Sequence, residues 1–226
     1  MDAWEHGWQA DDREICAWAM DAKNTIATYR NQPTVARDAA ECGLKHAPPG
    51  SAAAAGVSVK LARAYARLGQ VDRFQDVLKD AQTIFDQLDH PGSGLFSANS
   101  GMLAFYTADS YLWRGRPDRA IPYAKETISF CRDLGLSERE PTREALTRLD
   151  LGRAHADLGQ PDDAVEHVEQ ALRSERITGP VLRRLGDLTV CMQQKYPDLR
   201  MTKELVDRHR EMTASLGLSH PEVSSP

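Results

Sequence analysis

The chain has 226 residues and a formal net charge of −5, with 41% hydrophobic and 27% charged residues. That is the make-up of an ordinary water-soluble chain, long enough for one elongated domain or two small ones. It excludes a general electrostatic pull toward nucleic-acid phosphates or anionic lipid, and no apolar run reaches membrane-spanning length.

Residues 1–12 form a polar, acidic lead-in carrying Trp4 and Trp8. A secretory leader would be basic and then apolar, so the expected location is the cytoplasm. Two tryptophans in so polar a stretch mark either a segment that docks on a helix or a partner, or a frayed tail. Four cysteines (Cys16, Cys42, Cys131, Cys191) lie far apart, with no CxxC and no histidine at ligand spacing. They read as reduced thiols in a core, and no metal or other cofactor is expected.

From Arg13, the residues Ile15, Ala19, Ala22, Ile26 and Tyr29 recur at three-to-four spacing and predict a helix. Asn31-Gln32-Pro33-Thr34 breaks it, and Val35–Leu44 makes a second helix. Ser51 is a suitable N-cap for the next, whose AAAAG run allows close approach of another helix. That helix turns at Gly69 into Arg73–Leu88. Phe74, where other units place alanine, predicts a more open contact.

His90-Pro91-Gly92-Ser93-Gly94 is a break. A third pair follows, turning at Gly115-Arg116-Pro117. Ser137 to Thr142 opens a fourth, the most regular: LGRAHADLGQPDDAVEHVEQAL, Leu151 to Leu172. Gly159 suits the left-handed turn that ends one helix, and Pro161 the first turn of the next. Gly152, Ala164 and Ala171 are small where two helices must touch.

Pro180–Lys195, with Leu182, Leu185, Leu188 and Met192 on one face, and Leu199–Leu216, polar on its outer side, read as a capping pair. There is no strand-like alternation and no Gly-rich phosphate loop. The predicted fold is all-α: a TPR-like α-solenoid of about four helix pairs (near 13–48, 51–88, 97–133 and 141–174), a cap at 180–216 and a tail at 217–226.

The runs KLARAYARLGQVDRF, GLFSANSG, SYLWRGRPDRAIPYAKE and PTREALTRLDLGRAHADLGQPDDAVEHVEQAL extend the likeness. Over about Ile15 to Arg210 the chain resembles the C-terminal sensory half of actinobacterial helix-turn-helix regulators of the xenobiotic-response-element type. In that family a DNA-binding domain of five short helices precedes the repeats. None is recognisable here, so the resemblance implies the sensing or docking half, without DNA binding by this chain alone. It carries over no set of functional residues.

Counted from the turn residues, the helices expected to line a concave groove present Lys60, Arg63 and Arg67, then Tyr106, Asp109 and Trp113, then Asp150, Arg153 and Asp157, then Arg184 and Asp187. Guanidinium and aromatic groups in one groove suit a peptide, a small planar metabolite or a regulatory protein. The competing reading is that Arg63, Asp109, Arg153 and Asp187 only neutralise one another along the stack. Trp4 and Trp8 are further candidates for partner docking, and a homodimer is open.

No catalytic residue is nominated. His155 reads as a satisfied core histidine and His167 as part of an exposed charged face. A structural adaptor and a TPR-fold enzyme using the groove as active site remain the two other classes.

Overall fold

The structure, a computed structural model, describes residues 3–88, 97–135 and 138–215. The predicted break at His90–Gly94, the helix opening at Ser137 and the 217–226 tail lie outside them. All regular structure among the described residues is helical, and the chain divides into two compact units, Met1–Asp133 and Leu134–Pro226.

Unit 1 holds α1 (Ala3–Gln9), α2 (Arg13–Tyr29), α3 (Pro33–His46), α4 (Ala52–Arg67), α5 (Val71–Asp86), α6 (Ser100–Trp113) and α7 (Pro117–Asp133). Unit 2 holds α8 (Pro141–Asp157), α9 (Pro161–Leu172), α10 (Gly179–Lys195) and α11 (Arg200–Ser215). From α2 to α9 the helices pair as hairpins, α2 with α3, α4 with α5, α6 with α7 and α8 with α9.

Each hairpin turns at the residue the sequence marks. Asn31, Gly69, Gly115 and Gly159 have φ of 55°, 72°, 63° and 85°, the left-handed region that closes a helix C-terminus. Asparagine is the side chain that best tolerates this in place of glycine, which is why the first corner works without one. Prolines 33, 117, 141 and 161 open helices, where a missing N–H is no loss. Asp12, Ser51 and Asn99 cap α2, α4 and α6 by accepting backbone N–H groups at 2.8–3.1 Å.

In unit 1, α4 is the axle. Every residue from Ala52 to Ala66 is buried, because the AAAAG start lets neighbouring helices close on it. A Cβ on Gly56 would stand 3.4 Å from the Trp18 ring. Phe74 departs from the predicted open contact. It is buried with Leu61, Tyr65 and Ala66, and meets Tyr111 edge-on at 5.5 Å.

In unit 2 the predicted face of α10 is the core: Leu182, Leu185, Leu188 and Met192 are buried with Leu146, Leu149 and Val168. A Cβ on Gly152 would stand 2.9 Å from the Ala164 carbonyl and 3.0 Å from Leu188. The two helices therefore meet backbone to backbone, as the small residues predict. On α11, Lys203, Asp207, Arg210 and Glu211 are exposed, and Arg208 reaches the Glu169 carboxylate of α9.

Candidate functional site

Six of the predicted residues gather in unit 1, on the facing sides of α4 and α6. Lys60 Nζ lies 2.5 Å from Asp21 on α2 and 5.4 Å from the centre of the Tyr106 ring. Burial works against the Lys60 ammonium, but Tyr106 and Asp21 outweigh it and hold its pKa above the ordinary lysine value.

Arg63 lies over Tyr106 at 4.6 Å, with Asp109 at 3.9 Å on the α6 side. On the α2 side it donates to Thr28 at 3.2 Å and Asn24 at 3.4 Å. Arg67 donates to the Thr28 carbonyl at 3.2 Å, and its guanidinium sits 4.1 Å from the centre of the Trp113 ring. The result is three rungs, each with an α4 cation held between a polar group of α2 and α6.

The α2 side of these rungs runs against the apolar stripe that the sequence shows on this helix. Ile15, Ala19, Ala22, Ile26 and Tyr29, the stripe that marks α2 as a helix, turn outward: Ile15, Ile26 and Tyr29 are 43%, 53% and 41% exposed. The buried face is Ala17, Asp21, Asn24 and Thr28, which supplies acceptors for α4's cations. Polar residues at helical spacing are invisible to an apolar-stripe reading. The available signal was the count back from Asn31, which puts Asn24 at the position of Ala62, Ala108 and Gly152. Asn24 fills that place by donating to the Ala36 carbonyl at 2.8 Å.

The candidates in unit 2 are knit together differently. Buried Asp150 takes Arg184 as its ion-pair partner across α8 and α10. Arg153 pairs with Asp157 at 3.0 Å on its own helix, and Lys195 reaches Asp157 at 2.8 Å. Burial alone would raise the Asp157 pKa, but Lys195 and Arg153 bring it below the usual carboxylate range. Asp187 is exposed, so within unit 2 Arg153 is matched by Asp157 and not, as the charge-pairing reading proposed, by Asp187.

His155 is satisfied, with Nδ1 2.8 Å from Gln160 Oε1, but it is half-buried and not in the core. His167 is a correction. It is half-buried and stacks on His155 with ring centres 5.2 Å apart, instead of standing on an exposed face. Burial first, then the His155 and Arg148 charges, lower its pKa.

At the N-terminus α1 folds back on its own unit. Trp4 meets His46 edge-on at 4.8 Å and stacks with Trp8 at 6.3 Å. Trp4 is therefore committed within the chain, while Trp8 remains 65% exposed. Among the described residues no group of three or more His, Cys, Asp or Glu is placed to hold a metal ion, and no helix is long and apolar enough to cross a membrane.

No curated protein matches the sequence. The tetratricopeptide-repeat family model matches residues 145–180, the α8–α9 hairpin and the link beyond it. Among solved structures the chain is similar to the nearly identical TPR-like repeats of a chain assigned as a kinesin light chain in Podosopora anserina. Identity is 19%, covering 89% of this chain and 96% of that one, with a TM-score of 0.56. A single-substitution variant of the same protein gives 18%, 97%, 100% and 0.58. At such identity the likeness speaks for fold alone, and the fold is all-α and TPR-like.

Proposed function

We propose that this chain is a recognition protein of a regulatory system, taking a peptide, a small metabolite or a protein partner on the lining that α2, α4 and α6 build in unit 1. TPR folds are typical of protein-interaction modules, and the resemblance to the sensory half of helix-turn-helix regulators suggests which kind of system. The observation that carries the reading is the set of rungs at Lys60, Arg63 and Arg67. They hold Tyr106, Asp109 and Trp113 in fixed places, and leave the Trp113 ring 48% exposed beside a guanidinium. A rigid aromatic next to a positioned cation is the composition of a binding hot spot. In unit 2, Asp150, Arg153, Arg184 and Asp187 are a secondary lining, most of it taken up in ion pairs.

Native mass spectrometry of the protein purified from its host tests this. A retained small molecule or polypeptide, lost in Trp113→Ala and Arg67→Gln, is the expected result. Bare protein in every preparation would refute it, as would random duplex DNA bound at physiological salt.

A second reading, self-association, has its own support in the outward apolar stripe of α2 and in exposed Trp8 of α1. Light scattering decides it: a mass that rises with concentration in the wild type and not in Ile26→Lys favours a dimer.

A further inference from the structure

The rungs of unit 1 climb three helices in the same sense. Asp21, Lys60 and Tyr106 come first, then Asn24, Arg63 and Asp109, then Thr28, Arg67 and Trp113. Helices α2, α4 and α6 are therefore parallel, and all end at one edge, at the corners Asn31, Gly69 and Gly115.

That edge collects Arg30, Arg67, Arg114 and Arg116, together with the exposed rings of Tyr29 and Trp113. Arg67 ties it together, reaching the Thr28 carbonyl on one side and the Trp113 face on the other. A Cβ on Gly69 would lie 3.9 Å from the Arg114 guanidinium, so Arg114 hangs over the α4 corner. The acids at the edge are Asp72 and Asp118, and Asp118 pairs with Arg116 at 3.1 Å. Cations thus outnumber acids here, in a chain whose net charge is −5.

Cations suit helix C-termini, so capping explains one arginine per helix. It does not explain two exposed aromatic rings beside them. Resting on the recognition reading above, we infer that this edge docks an extended acidic peptide segment. Its carboxylates meet Arg30 and Arg114, and an apolar side chain lies on Trp113. Packed helices stand about 8–10 Å apart, so the run from α2 to α6 is about 16–20 Å. A single carboxylate or phosphate reaches one arginine of the row, whereas an extended chain of about six residues spans it. Arg forks bind carboxylates two-handed, and aromatic neighbours add contact area at little entropic cost.

The test is fluorescence anisotropy with the full chain and a labelled hexapeptide of alternating glutamate and leucine, set against the same peptide with glutamine for glutamate. Saturable binding of the acidic peptide alone is expected, weakening on raising salt from about 50 to about 300 mM. The double variant Arg30→Gln, Arg114→Gln should weaken it about tenfold, the scale of two rim charges, and Trp113→Ala should do likewise. Both arginines are at or near the surface, so circular dichroism of the double variant should match the wild type.

Equal binding of the glutamine peptide, no saturable binding, or indifference to the double variant would overturn the inference. So would tighter binding of a single-stranded oligonucleotide lost in the same variants, which would make phosphate the ligand. If the acidic peptide fails while mass spectrometry still finds a molecule retained by the double variant, the edge falls and the lining reading stands. If both fail, both fall.

Discussion

The hairpins α2–α3 and α8–α9 put the same contact together from opposite materials. In α8–α9 the close point is Gly152 against the Ala164 carbonyl, with nothing between the backbones. In α2–α3 the equivalent place holds Asn24, whose amide donates to the equivalent Ala36 carbonyl. The difference extends to the neighbours. Unit 2 centres on leucines, with Arg148 and Asp150 its buried charges among the described residues, while α2 offers Asp21, Asn24 and Thr28 to the cations of α4. One repeat geometry thus accepts an apolar or a polar interior, and in the polar one Asp21, Asn24 and Thr28 each have a partner. The polar version is also the one that fixes Tyr106 and Trp113 in place.

The largest effect should come from breaking the polar version. Lys60→Met strands the Asp21 carboxylate in a site where both side chains are at most 10% exposed. It should cost about 3–5 kcal/mol, and adding Asp21→Leu should restore most of that. Hydrogen exchange in α2 and α4 reads the loss. No protection lost in the single variant, or no recovery in the double, would contradict the rung.

The apolar version breaks by crowding. Ala164→Leu, at a fully buried position, should overpack α8 against α9 and cost about 1–3 kcal/mol, with faster exchange confined to unit 2. An unchanged melting midpoint would mean that this contact is not the close one.

Asn24→Ala sharpens the comparison. It leaves the Ala36 carbonyl and the Arg63 guanidinium short of a partner each, for a cost of about 1–2 kcal/mol. If alanine, the residue found at the matching positions 62 and 108, is neutral or stabilising here, the amide serves something other than the fold.

A smaller, conditional difference is pH. His167 has its pKa lowered in the fold, so the folded state favours neutral imidazole. Its contribution is present above the unfolded value of about 6.5 and lost as pH falls through the lower folded value. Melting of the wild type should therefore worsen below about pH 6.5 more than that of His167→Gln. Parallel pH profiles would argue against this.

The helix pairs were legible because their signals are local. A left-handed φ at Asn31, Gly69, Gly115 and Gly159, and proline at a helix start, act within a few residues of chain and need no neighbour. The close approach at Gly152 was legible for a related reason: a missing side chain can be read without knowing what fills the space. The faces of α2 were not. Helical spacing shows that Ile15, Ile26 and Tyr29 share one stripe, but not which way the stripe turns. That was settled by Lys60 and Arg63, 39 residues beyond their partners Asp21 and Asn24, because desolvating those cations demands acceptors more strongly than an apolar stripe demands burial.

By itself, then, the sequence determined an all-α chain of TPR-like hairpins, the place of each corner and the candidate cations and rings of α4 and α6. Which residues those cations grip, and which apolar face is left to solvent, were decided only in the tertiary structure. Corners are set by the torsional preferences of single residues, whereas a buried charge is set by whatever lies within a few ångströms of it in space.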